Sequence, residues 1–239
     1  MSGQRLKEFQ KITGYTFQNE NLLKNALTHS SFANEKHWQY NANNERLEFL
    51  GDAVLELVSS EFIFRRNPKM VEGKMTKMRA SLVCEMSLAD AARQIRLGEY
   101  LYLGKGEYRT GGDKRDSILS DAFEAVIGAI YLDGGFEPAG TFIRTFVLSD
   151  IEKKQLFHDS KTILQEMIQE KDHENTCITY PVVSERGPDH DKQFEVRCEI
   201  NGISYAKGTG HTKKAAEQKA AYETILLLRN GEYNVPEKH

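Results

Sequence analysis

The chain has 239 residues, 39% of them hydrophobic, with 12 Phe and 10 Tyr, enough for two modest domains or one large one around a proper core. Only 5 Pro argue against long disordered tracts, and no stretch approaches the ~18 uninterrupted apolar residues of a membrane span. The formal net charge of −3, from 32 Lys+Arg and 35 Asp+Glu, neither requires nor excludes nucleic acid, because an RNA footprint is local rather than global.

The opening MSGQRLKEFQ lacks the basic-then-apolar order of a signal peptide, so the expectation is a cytoplasmic protein with no membrane association. Cys84, Cys177 and Cys198 are odd in number and far apart. They fit neither a disulfide framework nor a zinc knuckle and are read as reduced thiols.

The first part of the chain reads as almost entirely helical. LKEFQKITG is a short helix closed by Gly14, and NENLLKNALTHSSF a second with Asn19 as N-cap. NERLEFLGDAVLELVSSEFIFRR is a long third, halted before Pro68. KMTKMRASLVCEMSLADAARQI predicts two helices with a break near Cys84, and GEYLYLGKGEYRTGGDKR is Gly-rich and irregular. DSILSDAFEAVIGAIYLDGG is a strongly apolar helix stopped by Gly134 and Gly135, and a last helix runs through PAGTFIRTFVLSDIEKK.

Near QLFHDS the helical periodicity lapses into a linker, 151–158. KTILQEMIQEK is again a helix. CITYPVVSER, KQFEVRCEI and ISYAKGTG have the β-branched, aromatic and alternating character of three strands, and TKKAAEQKAAYETILLLR is a helix with Thr212 as N-cap. The fold class is therefore an all-α domain over 1–150, followed by a small α+β domain of α-β-β-β-α order over 159–229 and a tail over 230–239.

Within NNERLEFLGDAVLELV the acidic residues break an otherwise ordinary amphipathic helix. Glu48 and Asp52 are i and i+4, on one face one turn apart, and Glu45 extends that face. Asp121 and Glu124, i and i+3, repeat the arrangement in the apolar run ILSDAFEAVIGAIYL. Like charges at these spacings repel, and burial raises the cost. Four acids on two buried helices make sense if the helices face one another around a hard cation such as Mg²⁺. Gly51, Gly128 and Ala129 are small enough to let them approach. The competing reading of one such pair is a solvated helix face. The spacing names no reaction: it suits phosphodiester hydrolysis, a phosphatase or a structural metal. No Ser-His-Asp or Cys-His arrangement is legible, nor a Gly-rich phosphate loop, so no nucleotide cofactor is expected. His29, in LTHSSF, reads as a hydrogen-bonding residue at a helix end rather than a general base.

NERLEFLGDAVL nonetheless resembles the signature motif of the ribonuclease III family, and GDKRDSILSDAFEAVIGAIYLDGG its second acidic segment. ALTHSSFAN and EGKMTKMRASLV continue the resemblance over about residues 5–150. It implies a homodimeric endoribonuclease that cuts double-stranded RNA with Mg²⁺, or Mn²⁺ as a substitute. Metal-activated water would be the nucleophile, leaving 5′-phosphate and 3′-hydroxyl ends with short 3′ overhangs. The implied substrates are ribosomal RNA precursors and other structured transcripts, including messenger and transfer RNA. Carried over, the metal-binding carboxylates fall on Glu48, Asp52, Asp121 and Glu124, with Asp52 and Glu124 in the catalytic roles. Glu72 aligns with an additional carboxylate near the site, and Glu45 with an accessory position, whereas Glu56 reads as solvated surface. Phe49 is placed to pack across a two-fold interface.

Lys213 and Lys214 fall in the first turn of the last helix, where the dipole and free N–H groups favour phosphate. Together with the helix, three strands, helix order, they resemble a double-stranded-RNA-binding domain over 159–229. That resemblance implies RNA contacts from Thr162, Gln165 and Glu166 in the first helix and from Pro188 and His190 in GPDHDK. Such domains read A-form shape through 2′-hydroxyls and phosphates.

Overall fold

The structure is a computed structural model that describes residues 3–38, 42–149, 151, 156–157, 159–170, 177–187 and 192–231. It divides into two compact units, Met1–Ile151 and Glu152–His239. Among the described residues no helix is long and apolar enough to cross a membrane.

The first unit is helical. Helix α1 spans Gly3–Thr13 and ends at Gly14, and α2 spans Glu20–Ala26 with the Asn19 side chain accepting from the Asn21 N–H. The single helix expected over NENLLKNALTHSSF is broken. The chain leaves helical geometry after Ala26, Thr28 forms an isolated parallel bridge with Tyr102, and α3 (Ser30–Glu35) starts anew behind His29. The cause is local hydrogen bonding: the Ser31 N–H finds the His29 ring instead of a helical carbonyl, and the His29 N–H finds the Tyr102 carbonyl.

Helices α4 (Glu45–Arg66), α5 (Glu72–Leu82) and α6 (Glu85–Gln94) follow, with the α5–α6 break at Val83–Cys84. The Gly-rich stretch is less irregular than expected, containing 3₁₀ turns at Leu97–Tyr100 and Gly112–Lys114 and a short α7 (Lys105–Arg109). α8 (Asp116–Gly134) is the axis of the unit. Eleven of its residues between Ile118 and Ile130 are buried, so it is apolar nearly all round, as a central helix must be. The α9 helix (Phe136–Phe146) completes the bundle and ends earlier than the apolar pattern suggests. Asp133 ties the ends together, accepting from Tyr15 Oη (2.8 Å) and from the N–H groups of Gln18 (2.8 Å) and Asn19 (2.9 Å).

In the second unit α10 (Ser160–Gln169) and α11 (Lys213–Arg229) pack on one face of an antiparallel sheet. Its strands are β1 (Ile178–Thr179), β2 (Val182–Arg186), β3 (Gln193–Ile200) and β4 (Ile203–Gly210). β1 and β2 are the two halves of the first expected strand. Both pair with the same edge of β3, Thr179 opposite Glu199 and Glu185 opposite Phe194, and β4 takes the other edge. Pro181, which has no N–H to give, sits at the interruption. Leu164, Ile168, Val196, Cys198, Ile200, Ala216, Ala220 and Ile225 form a separate core.

Candidate metal centre

The site is made by the crossing of α4 and α8. A Cβ on Gly51 would stand 1.8 Å from the Glu124 carbonyl oxygen, and one on Gly128 would stand 2.2 Å from that of Leu47. Only hydrogen fits at either position, so the two backbones touch there. Glu48 lies one turn before Gly51, and Glu124 one turn before Gly128. Contact between the glycines therefore brings their carboxylates together.

Glu48, Asp121 and Glu124 each place one carboxylate oxygen within 4.8 Å of the other two, and all three are half-buried. Burial and mutual repulsion disfavour their charged forms. Burial, then Asp121, Glu45 and Asp52, push Glu48 up to about 7. Burial, then Asp52, Glu48, Asp121 and Glu56, push Glu124 up to about 8. Burial also raises Asp121, against the Ser120 hydroxyl and His29, which pull it down. Three convergent hard oxygen donors whose ionisation is disfavoured by burial and by neighbouring carboxylates fit a divalent cation of the Mg²⁺ or Mn²⁺ class.

The other expected residues divide. Asp52 stays outside the three-carboxylate cluster and is exposed, although its charge acts on both Glu48 and Glu124. Glu45 is exposed at the start of α4 and acts on Glu48. Glu72 is not brought to the cluster within the chain: it begins α5, is exposed, and accepts from Thr76 Oγ1 at 2.9 Å. Glu56 is not the solvated residue expected; it is partly buried and pairs with Arg79 at 2.7 Å, while Arg79 also donates to Ser60 Oγ. The sequence carried no signal for that pairing, because 23 residues separate the partners. His29 caps α3, with Nδ1 accepting from the Ser31 N–H (3.3 Å) and lying 2.8 Å from Ser31 Oγ. Burial lowers it, against the charges of Glu107, Asp121 and Glu45, which pull it up.

In the second unit Thr162, Gln165 and Glu166 share the exposed face of α10, opposite the buried Leu164 and Ile168. Lys213 and Lys214 are exposed in the first turn of α11, behind the Thr212 cap. Pro188 and His190 lie outside the described residues. Sequence reasoning missed Glu185, which pairs with Lys192 (2.9 Å) and Lys213 (3.5 Å) around the Phe194 ring.

Comparison with known proteins identifies the family of the chain. A family model described as ribonuclease-III-like matches residues 19–151, and one for the double-stranded RNA binding motif matches residues 160–228. The Ribonuclease 3 of Oceanobacillus iheyensis is 44% identical over 94% of this chain and 99% of its own length. That of Listeria monocytogenes is 45% identical over 93% and 97%. The crystal structure of the nuclease domain of the Campylobacter jejuni enzyme is 43% identical, with a TM-score of 0.57 over 63% of this chain and 97% of that domain. A second structure of the Campylobacter jejuni domain concerns structural flexibility in a region involved in its dimer formation. The chain belongs to the ribonuclease III family, as a double-stranded-RNA endoribonuclease whose helical nuclease domain precedes its RNA-binding motif.

Proposed function

We propose that the protein is a Mg²⁺-dependent, homodimeric endoribonuclease that cuts duplex RNA to 5′-phosphate and 3′-hydroxyl ends with short 3′ overhangs. Its proposed place of work is the cytoplasm, on ribosomal RNA precursors and other structured transcripts. The observation that carries this reading is the convergence of Glu48, Asp121 and Glu124 within 4.8 Å, on a chain that also bears a duplex-RNA-binding motif.

In this reading those three residues hold the cation. When bound, Mg²⁺ supplies the Lewis acidity that makes water a competent nucleophile near neutral pH and steadies the departing oxygen. Asp52, exposed one turn beyond Glu48, is suited to orient the attacking water and accept its proton, and Glu45 to contact substrate at the rim. Thr162, Gln165 and Glu166 offer hydroxyl, amide and carboxylate groups to ribose 2′-hydroxyls, and Lys213 and Lys214 offer charge to phosphates. His190 is assigned to the same surface from sequence alone. Domain limits of 1–150, 151–158 and 159–229 go with this division of labour.

The dimer is supported by Phe49, whose ring is 81% exposed beside a cavity of about 650 Å³ lined by Leu22, Leu50 and Leu132. In an isologous dimer each patch meets its own copy, so a ring and a neighbouring cavity on one subunit can serve their counterparts on the other. The test is incubation with long duplex RNA, with and without Mg²⁺. Cleavage only with the metal is expected, and intact RNA with the metal present would overturn the reading.

A further inference from the structure

A second cavity of the nuclease unit takes no part in the site just described. It has a volume of about 490 Å³, within the range of small-ligand sites, and lies between α2 and the Thr28–Tyr102 bridge. Three aromatic rings wall it. Phe32 is 5.4 Å from Trp38 in an edge-on arrangement and 5.4 Å from Tyr102 in a tilted one. Trp38 remains 51% exposed, a large apolar surface left facing water.

The opposite wall is polar, and it is one helical face. Asn21, Lys24, Asn25 and Thr28 follow at i, i+3, i+4 and i+7 along α2 and its end. Among the described residues, neither the Asn21 nor the Asn25 side-chain amide has a hydrogen-bond partner, and Lys24 has no ion pair. A second cation, Lys36, stands 5.6 Å over the Phe32 ring. Glu35, the nearest acid in sequence, is turned away to accept from the Lys105 N–H.

We propose that this pocket is a subsite for an unpaired nucleobase of the RNA substrate. Each wall matches one part of a nucleotide. The aromatic wall offers a stacking surface that any base can use. Amides carry both donor and acceptor, as the edges of bases do. Lys24, in the wall itself, gives the charge that a phosphate requires, and Lys36 adds a second cation against the Phe32 ring. Two backbone hydrogen bonds tie the pocket to the segments that build the nuclease centre: the His29 N–H donates to the Tyr102 carbonyl (3.1 Å), and the Asn44 N–H, at the start of α4, donates to the Thr28 carbonyl (2.8 Å). A nucleotide in the pocket and a duplex at the carboxylates would therefore be held by adjoining segments of one unit. The proposal rests on the reading of the protein as an RNA-cutting enzyme; what it adds is that bulges, loops or overhanging ends are recognised by the nuclease unit itself.

Trp38 is the only tryptophan in the chain, so its fluorescence reports on this pocket alone. Titrating the full-length, metal-free protein with adenosine 5′-monophosphate, and then with a short single-stranded oligoribonucleotide, is expected to quench Trp38 emission saturably. Emission that responds to neither overturns the proposal. Emission that changes on dilution of the protein but not with RNA also overturns it, by showing that a second copy covers the pocket. Binding gives an independent reading, using duplexes that carry one unpaired nucleotide at successive positions from the cut. At the favoured position Trp38→Ala is expected to bind about tenfold more weakly than wild type, while a blunt, fully paired duplex binds both equally. Asn25→Ala, on the helix surface, shifts affinity in the same selective sense. Equal losses on both kinds of duplex overturn the subsite. A blunt duplex left uncut by wild type with Mg²⁺ would instead be a failure of the nuclease reading, and nucleotide quenching of Trp38 would survive it.

Discussion

The carboxylate cluster of the nuclease unit and the sheet of the RNA-binding unit treat acidic side chains in opposite ways. In the nuclease unit Glu48 and Glu124 stand in a half-buried cluster with Asp121 and are pushed up to about 7 and about 8. In the RNA-binding unit Glu185 is held below the usual carboxylate range by Lys192 and Lys213, and Glu195 by Lys207 and Ser184. The first arrangement is poor without an added cation, and the second is already neutralised. On the proposed function, an external cation completes the carboxylate cluster, whereas RNA that reaches Lys213 competes with Glu185 for it. One unit is built to recruit charge and the other to exchange it.

The largest effect that can test this contrast is removal of one recruiting carboxylate. Glu124→Gln keeps the shape but loses a charged donor, and several kcal/mol of charge stabilisation goes with it. Cleavage of duplex RNA should fall by about a thousandfold or more in single-turnover rates, with duplex binding by the second unit retained. Loss of binding in parallel would show that the residue acts on structure rather than on the reaction.

Next comes pH. The folded pKa values of Glu48 and Glu124 lie above the ordinary 4.5, so the metal-free fold binds protons that the unfolded chain has released. Their contribution is fully present below about 4.5 and is lost as pH rises through about 7 and 8. The melting temperature of metal-free protein is therefore expected to fall between pH 5 and 8. Added Mg²⁺ should raise it most at the alkaline end, and Glu124→Gln should flatten the metal-free slope. A metal-free melting temperature that climbs over this range would contradict the assigned electrostatics.

Why these carboxylates were legible in the sequence, and others were not, follows from distance along the chain. Glu48 with Asp52, and Asp121 with Glu124, are spaced by helix geometry, and Gly51 and Gly128 mark where two helices can touch. Local rules reach that far. They do not reach Asp52's position outside the three-oxygen cluster, because the outcome depends on how α4 rotates against α8. Neither do they reach Glu56 with Arg79, or Glu185 with Lys192 and Lys213, since those pairs are made by packing between elements. The helix pattern was right for α4 and α8 and wrong across Leu27–His29, where a bridge to Tyr102 overrode helical continuity. Pro181 was legible as a residue with no N–H to give, yet the strand pattern ran through it.

In the RNA-binding unit the effects should be smaller. Lys214 has no ion pair among the described residues, whereas Lys213 is engaged by Glu185. Lys214→Ala is expected to lower the dependence of log K on log salt concentration by about one phosphate contact. Lys213→Ala should cost less affinity, since part of what it gives the phosphate is withdrawn from Glu185. The complementary variant, Glu185→Gln, should tighten duplex binding modestly and uniformly across sequences, because it withdraws a competing carboxylate from Lys213. Equal losses from the two lysine variants, with no gain from Glu185→Gln, would mean that RNA displaces no internal anion.

The smallest expected effect concerns Glu56, which belongs to both kinds of arrangement. It pairs with Arg79 at 2.7 Å, yet its charge is also among those that push Glu124 up. Exposed or half-exposed ion pairs contribute about 0–1 kcal/mol, so Glu56→Gln should lower stability by about 0.5 kcal/mol. If the pair were the whole story, nothing else would change. If the charge field at the α4–α8 crossing is as described, removing Glu56 also makes Glu124 slightly easier to ionise. The metal-free melting temperature would then fall less steeply with pH than in wild type, even though the protein is marginally less stable at pH 5. An unchanged slope would confine Glu56 to its pairing with Arg79 and leave the cluster's electrostatics to Glu48, Asp52 and Asp121.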